Sequence, residues 1–231
     1  MHRFELDRHY DEIEWNNIDS VLFISDAMER KFHERGRYKG KTFVTYDNLN
    51  FENFPLFQKE KTMQIGMLGN IEPRKGVLEF VEYFGKMKIP NIKLSIAGNA
   101  KDEVYCSKIK RHIIENKLEN KITVEGYVKD LNNWYKSNDC IISNSTHEGT
   151  QTSIVEGVST GCWAISKNWD GADEIVDEKG LFTNINELEK CINLFYKWND
   201  EKRKKYINNA RERLISKLTS RPRMHELILK L

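Results

Sequence analysis

Short apolar runs alternate with stretches of helical periodicity along most of this chain. The first three elements are predicted as a strand, a helix and a strand at residues 20–25, 27–34 and 42–45. Residues 46–61 show no sustained period and are predicted to form a connector. Alternation of strands with helices indicates βαβ units and therefore a parallel sheet.

The alternation becomes regular after residue 62. Further strands are predicted at residues 64–68, 92–97, 121–124, 139–143 and 162–166. Helices are predicted at residues 75–87, 102–116 and 130–136, with another starting near Gln151. Two amphipathic helices close the chain, marked by Leu188, Cys191, Ile192 and Phe195 and by Ile207, Ala210, Leu214 and Leu218. The pattern therefore predicts an α/β fold.

Composition narrows the functional classes. The chain has 231 residues, of which 39% are hydrophobic and 11% aromatic, so it can bury a core and is not expected to be disordered. Its formal net charge of +2 argues against a nucleic-acid partner. The basic residues of the last predicted helix favour a solvated face, with peripheral contact to an acidic membrane as the alternative.

Cysteine spacing and the N-terminal residues suggest a compartment. The four cysteines are widely spaced and fit neither a zinc site nor a disulfide scaffold, so we expect them to be reduced. No apolar run reaches the ~18 residues of a membrane span, and the first residues lack the apolar stretch of a signal peptide. We expect a cytoplasmic protein.

Residues 144–161 carry the most specific chemistry, with Glu148 and Glu156 on either side of the predicted helix start. A helix beginning near Gln151 leaves the backbone N–H groups of residues 150–153 unpaired, and its positive end favours an anion such as a diphosphate. Glu156 would lie about 7 Å further along the axis, where its carboxylate can accept from two vicinal ribose hydroxyls. Glu148 could accept from sugar hydroxyls at the other end of the ligand.

The same residues also have an ordinary interpretation. Two glutamates eight positions apart are often a coincidence on a solvated surface when 31% of residues are charged. Lys75 taken alone is typical of a surface lysine, and His147 beside Glu148 is typical of a loop histidine without a special role. The rest of the sequence must decide between the two.

Three separated segments resemble one family: Gly-Asn-Ile-Glu-Pro-Arg-Lys-Gly at 69–76, Glu-Gly-Tyr-Val at 125–128, and residues 148–156. Together they are similar to the C-terminal nucleotide-binding domain of the retaining GT-B glycosyltransferases of family 4, also called glycosyl transferases group 1. The resemblance implies a Rossmann-like parallel sheet with helices on both faces at residues 62–231. Residues 1–61 would be a remnant of the other lobe with its linker, of which residues 48–54 resemble the interdomain connection.

The resemblance also implies roles for individual residues. Glu156 would hold the nucleotide ribose, Glu148 a hydroxyl of the donor sugar, and Lys75 the diphosphate. Lys75 and Glu148 are the expected catalytic residues. The other expected contacts with the donor are Gly69, Asn70, Arg74, Tyr127, Val128, Gly149, Thr150, Gln151 and Thr152, with Tyr127 and Val128 near the base and Gln151 and Thr152 donating through backbone N–H groups.

Three features of the sequence depart from the family pattern. Asn70 stands where the family generally has an arginine that works on the phosphates, and Trp163 stands where it usually has proline. A complete GT-B enzyme also has a second full lobe that binds the acceptor. We therefore expect an excised domain, one half of a two-chain enzyme, or a shortened transferase.

The expected activity is retaining transfer of a sugar from a nucleotide-diphosphate sugar, UDP among the candidate nucleotides, to a glycan or lipid-linked acceptor in glycan biosynthesis. Catalysis would be electrostatic, with Lys75 and helix amides stabilising the leaving diphosphate. Neither a metal nor another cofactor is expected, since no Asp-x-Asp pair lies in a suitable setting. A non-catalytic sugar-nucleotide-binding module or regulatory half stays open as the main rival, and a dinucleotide oxidoreductase is disfavoured because the Gly-x-Gly-x-x-Gly fingerprint is missing.

Overall fold

The computed structural model describes residues 3–46 and 51–229, so residues 47–50 of the predicted linker lie outside the described residues. The N-terminal segment contains α1 (Arg3–Arg8), β1 (Ser20–Phe23), α2 (Asp26–His33) and β2 (Lys41–Val44). β1 and β2 pair in parallel. The predicted strand, helix and strand of this segment are thus confirmed.

The larger part of the chain is an alternation of strands and helices. Its strands are β3 (Gln64–Leu68), β4 (Lys93–Ala97), β5 (Ile122–Gly126), β6 (Cys140–Ser143), β7 (Trp163–Lys167) and β8 (Leu181–Phe182). Its helices are α3 (Val77–Lys86), α4 (Glu103–Glu115), α5 (Leu131–Lys136), α6 (Thr152–Ser159), α7 (Ile185–Lys197), α8 (Asp200–Thr219) and α9 (Met224–Ile228). The sequence pattern did not predict β8 or α9, which are only two and five residues long.

The six strands β3 to β8 form one parallel sheet in the order β5-β4-β3-β6-β7-β8. Numbered from β3, this is the 3-2-1-4-5-6 order of a Rossmann sheet. The order reverses between β3 and β6, which are hydrogen-bonded neighbours. The predicted α/β class and Rossmann-like parallel sheet are confirmed.

Side-chain caps explain where several helices begin. Ser25 accepts from the Met28 N–H at 3.3 Å and starts α2, Asp102 accepts from the Tyr105 N–H at 2.8 Å and starts α4, and Asp130 starts α5 in the same way. Each satisfies one of the backbone donors that a helix leaves unpaired at its first turn. Ser25 is therefore the N-cap residue of α2.

The predicted start of α3, beside the predicted site residue Lys75, is wrong. The helix predicted from Lys75 begins only at Val77, and Lys75 ends a single 3₁₀ turn, Pro73–Lys75. Gly76 separates the two with a φ of +61°, a conformation that glycine adopts without steric cost. Lys75 is therefore presented by a tight turn in front of the helix.

Two hydrophobic clusters form the core. The first lies among residues 65–198 and includes Trp163, whose ring stacks on Phe195 with centroids 6.2 Å apart. That aromatic packing accommodates the residue that replaces the usual proline. The second cluster combines residues of the N-terminal segment with residues of α5, α6 and α8. The proposed division at residues 61 and 62 stays a prediction, since the two parts share this cluster.

Glu174 ties the N-terminal segment to the Rossmann-like part. Its carboxylate accepts from the N–H groups of Asp26 and Ala27 at 3.1 and 2.7 Å and from the Tyr46 hydroxyl at 2.9 Å. An acidic group at this position faces the positive end of α2. Lys217 of α8 lies 3.6 Å from the same carboxylate. Glu174 thus anchors the N-terminal segment to the Rossmann-like part.

Surface and thiol features complete the description. Several basic side chains of the last long helix are used within the molecule: Arg211 donates to the Ser159 carbonyl, and Lys217 pairs with Asp26. The four cysteines are buried and free. Within the part of the chain that the structure describes, no helix combines the length and apolar character needed to cross a membrane.

Candidate active site

The candidate site lies where the strand order of the sheet reverses. The loop after β3 carries Gly69 and Asn70, and the loop after β6 carries residues 144–151. Because β3 and β6 are parallel neighbours, both loops emerge at the same edge of the sheet. In open α/β sheets, ligands bind in this crevice. Gly69, Asn70, Lys75 and Gln151 line one small pocket there, so four of the predicted residues lie together.

Glycine allows the loops to approach closely. A Cβ atom on Gly98 would lie 1.8 Å from the Gly69 carbonyl oxygen, and Gly98 has a φ of +138°. Gly76 is equally confined, because a Cβ there would lie 2.6 Å from the Asn144 side chain. Asn144 donates to the Gly76 carbonyl at 2.8 Å. These contacts fix the turn that carries Lys75 against the loop after β6.

A cluster of charges joins the two loops. Lys75 Nζ donates to Glu148 Oε1 at 2.5 Å, and Arg74 donates to Glu148 Oε2 at 2.9 Å. Arg74 also pairs with Glu72 at 2.9 Å and donates to the His147 carbonyl at 3.2 Å. Both oxygens of Glu148 thus accept from a cation. The structure brings Arg74, Lys75 and Glu148, three of the predicted site residues, into contact.

The charge of Glu148 follows from these contacts. Glu148 is only 8% exposed, and burial by itself would raise the pKa of its carboxyl. Lys75, through its charge and hydrogen bond, and Arg74 outweigh burial and hold the pKa of Glu148 below its ordinary value. The carboxylate is therefore ionised at neutral pH. Lys75 has three N–H donors, so it can bind an anion while it keeps Glu148.

The loop from Gly149 to Thr152 leads into α6. Gln151 is the N-cap residue, and α6 starts at Thr152, which confirms the predicted start. Gln151 is 6% exposed, and its Oε1 has no hydrogen-bond partner within residues 3–46 and 51–229. The Thr150 hydroxyl donates to the Ile24 carbonyl at 2.7 Å, which attaches this loop to the N-terminal segment. The loop is thus held at both ends while the first amides of α6 point out of the helix.

Glu156 lies one turn further along α6. The Tyr135 hydroxyl donates to its Oε2 at 2.7 Å. Burial raises the pKa of Glu156 above its ordinary value, and the hydrogen bond from Tyr135 offsets part of that rise. No basic side chain among the described residues forms an ion pair with Glu156. It is therefore a carboxylate with acceptor capacity to spare.

Tyr127 and Val128 follow β5, at the same edge of the sheet. Tyr127 is 68% exposed, whereas Val128 packs against the second core cluster. β4 lies between β5 and β3, so the ends of β5 and β3 are roughly 10 Å apart at the usual strand spacing. An exposed aromatic ring at this edge of the sheet can stack on a nucleotide base.

The sequence pattern does not indicate two further residues of the site. Asn144 locks the Gly76 turn, and Tyr135 contacts Glu156. Neither has a recognisable spacing, because each reaches a partner that is distant along the chain. Within the described ranges, no three His, Cys, Asp or Glu side chains are grouped to hold a metal ion. The expectation that catalysis needs no metal stays a prediction.

The fold and the site together define a Rossmann-like α/β unit with two cations and a carboxylate in contact where the strand order reverses. Residues 50–213 match the family described as glycosyl transferases group 1. The chain belongs to that family.

Two curated proteins are similar in sequence. A poly(glycerol-phosphate) alpha-glucosyltransferase of Bacillus subtilis (strain 168) is 26% identical over 186 residues, which cover 76% of this chain and 27% of that protein. Protein CapJ of Staphylococcus aureus is 29% identical over 108 residues, covering 45% of this chain and 27% of CapJ. The chain thus spans about a quarter of the length of the curated relatives it matches.

Solved structures share the fold. TarM matches with a TM-score of 0.79 and 19% identity over 91% of this chain and 43% of its own. Anabaena HepE, solved in complex with UDP and glucose, matches with a TM-score of 0.78 and 19% identity over 99% of this chain and 67% of its own. At this level of identity, the likeness supports the fold.

Proposed function

We propose that this chain is the donor-binding part of a retaining glycosyltransferase that transfers a sugar from a nucleotide-diphosphate sugar to a glycan or lipid-linked acceptor. The observation that supports this proposal best is the contact of Lys75 and Arg74 with Glu148 where the strand order reverses. This cluster offers cations for a diphosphate and a carboxylate for sugar hydroxyls within one site.

The donor is proposed to lie across the edge of the sheet. Lys75 and the first amides of α6, with Gln151 and Thr152 in front, bind the diphosphate. Gly69 and Gly149 give it room to approach the backbone, and Asn70 donates a hydrogen bond. At the two ends, Tyr127 stacks on the base beside Val128, and Glu156 accepts from the ribose hydroxyls. Thr150 contributes through its main chain, because its hydroxyl is bonded to Ile24.

Transfer of the sugar requires that the bond to the diphosphate breaks. Lys75 stabilises the negative charge that grows on the leaving diphosphate, and the amides of α6 add their dipoles. Arg74 donates to Glu148. Its guanidinium supplies the positive charge that the family places at position 70, where this chain has the neutral Asn70. Glu148, ionised and fixed by both cations, orients the donor sugar. No step in this scheme needs a metal ion.

The donor is proposed to be a UDP-sugar, with glucose as the first candidate. The Bacillus subtilis relative is named as a glucosyltransferase that acts on poly(glycerol-phosphate), and HepE was solved with UDP-glucose. TarM was solved with UDP and alpha-GlcNAc-glycerol. A phosphate-containing or carbohydrate polymer is therefore the acceptor class to test first.

A second function is favoured by one observation. Asn70 is neutral, and both oxygens of Glu148 already accept from cations. A site of this kind can hold a sugar nucleotide without transferring the sugar, so the chain could serve as a binding module or a regulatory half of a two-part transferase.

Calorimetry tests the binding site. We expect UDP to bind, and Lys75→Ala to weaken it about tenfold to a hundredfold, since a charged hydrogen bond contributes about 1.5–3 kcal/mol. Glu156→Gln should weaken it as well. Lys86→Ala and Glu115→Gln are matched controls, because both residues are exposed at the far ends of α3 and α4. Unchanged affinity in both site variants would refute the proposed site.

Activity separates the two functions. The chain is incubated with radiolabelled UDP-glucose and poly(glycerol-phosphate), and transfer to the polymer is counted. Product with a retained anomeric configuration supports the transferase. If the chain alone binds the donor without transferring the sugar, and transfer appears when a GT-B N-terminal lobe is added, the result supports the half-enzyme.

A further inference from the structure

Tyr135 connects the core of the protein to the carboxylate of Glu156. It lies near the end of α5 and is completely buried. Its hydroxyl donates to Glu156 Oε2 at 2.7 Å, and the Ser153 carbonyl oxygen lies 3.2 Å from the Tyr135 hydroxyl oxygen. A hydroxyl has one proton to give. The ionised carboxylate, as the closer and more strongly accepting partner, receives it.

The position of the Tyr135 hydroxyl is fixed from several sides. The ring packs edge-to-face against Trp134 and Phe54, with centroids 5.2 and 5.7 Å away. Its backbone carbonyl accepts from Lys59 Nζ at 2.8 Å. The ring is therefore held between α5 and the connector that precedes β3, and its oxygen cannot follow a moving glutamate.

Tyr135 also remains a hydrogen-bond donor. Burial, and then the negative charge of Glu156, raise the pKa of the phenol well above its ordinary value. The hydroxyl therefore keeps its proton at neutral pH.

We propose that Tyr135 is a positioning residue for Glu156: by holding Oε2, it aims the carboxylate at the vicinal hydroxyls of the nucleotide ribose. This inference rests on the proposed function, in which Glu156 binds the ribose. A carboxylate has two oxygens with about four acceptor sites. Tyr135 occupies one of them, so Oε1 and the outer side of Oε2 remain for the two hydroxyls.

The physical gain is preorganisation. A glutamate side chain without Tyr135 samples several rotamers and must be ordered when the ligand binds. With Tyr135 in place, that ordering has occurred during folding. Tyr135→Phe keeps the ring and its packing and removes only the hydroxyl. It should weaken the part of the affinity that comes from the ribose hydroxyls.

The experiment compares UDP with 2′,3′-dideoxy-UDP in four proteins by calorimetry. We expect the wild type to prefer UDP and Glu156→Gln to lose most of that preference. Tyr135→Phe should bind UDP more weakly by a factor on the order of ten, while its affinity for the dideoxy compound stays close to that of the wild type. Tyr38→Phe is the control, since it removes a buried hydroxyl bonded to the Lys41 carbonyl in the N-terminal segment.

The outcomes are distinct. If Tyr135→Phe weakens both ligands equally, Tyr135 supports the site only structurally and the inference is wrong. If it binds UDP as the wild type does while Glu156→Gln does not, Tyr135 does not position the carboxylate. If wild type fails to distinguish the two ligands, the ribose role of Glu156 fails, and with it both the proposed function of that residue and the role of Tyr135. Thermal unfolding of each variant confirms that the compared proteins are folded.

Discussion

Gly98 is the position at which one added methyl group should do the most damage to the candidate site. It follows β4 and faces the loop after β3, and its N–H donates at 2.7 Å to the carbonyl of Gly126, the last residue of β5. In Gly98→Ala, the new Cβ would lie 1.8 Å from the Gly69 carbonyl oxygen and 2.7 Å from the Gly69 carbonyl carbon. Neither atom can rotate away, because both belong to the backbone.

The expected loss of stability has two parts. A side chain at a φ of +138° adopts a sparsely populated conformation at a cost of about 1–3 kcal/mol. Displacing a packed neighbour costs a further 1–3 kcal/mol or so. The sum is roughly 2–6 kcal/mol. In a chain of this size each kcal/mol lowers Tm by about 2–4 °C, so Tm should fall by roughly 10 °C.

The variant Gly36→Ala separates the backbone cost from the cost of displacing a packed neighbour. Gly36 has a φ of +72°, and a Cβ there would meet no described atom within 4 Å, so this variant carries a backbone cost of about 1–2 kcal/mol alone. Urea unfolding measures both free energies, and calorimetry measures UDP affinity. We expect Gly98→Ala to be less stable than Gly36→Ala and to bind UDP more weakly, because Gly69 lines the pocket with Lys75. Equal stability of the two variants, with unchanged UDP affinity, would refute the close approach of these loops.

Three further predictions concern carboxylates. Glu148→Gln should lower the affinity for UDP-glucose about tenfold but leave the affinity for UDP equal or higher, since the substitution frees Lys75. Calorimetry with both ligands measures this, and a loss of UDP affinity in the variant would contradict it. Glu174→Gln should lower the free energy of unfolding in urea by about 1–3 kcal/mol, because the N–H groups that start α2 lose a charged acceptor. An unchanged free energy of unfolding would show that Glu174 does not anchor the N-terminal segment. The affinity for UDP-glucose should be highest above the raised pKa of Glu156 and should fall as the pH drops through that pKa, since the protonated acid accepts fewer hydrogen bonds. The affinity of Glu156→Gln, measured over the same pH range, should not change.

The fold could be predicted because it depends on local regularities. Apolar strands and helical periodicity are visible in the sequence and confirmed in the structure. The start of the helix after β3 was misplaced by two residues, because a left-handed glycine leaves no signature in periodicity. β8 was missed because a two-residue strand gives no pattern to detect.

The candidate site could be predicted only in part. Lys75, Arg74 and Glu148 were named because three spaced motifs resemble one family, and the structure places these side chains in contact. Tyr135 and Asn144 were not named, because their contacts depend on how α5 and the loop after β6 pack in three dimensions. Sequence spacing identifies groups on one element, whereas the partners that orient them come from elsewhere in the chain.

The distribution of the sulfhydryls has a practical consequence. All four are sequestered, and all four lie beyond residue 100, in the Rossmann-like part. An alkylating reagent can modify these thiols only when that part opens, whereas the first 46 residues contain no cysteine. The rate of cysteine alkylation therefore reports on the opening of the Rossmann-like part. Comparing the rate of alkylation with hydrogen exchange of the backbone amides of residues 3–46 would reveal whether the N-terminal segment and the Rossmann-like part open in one event or in succession.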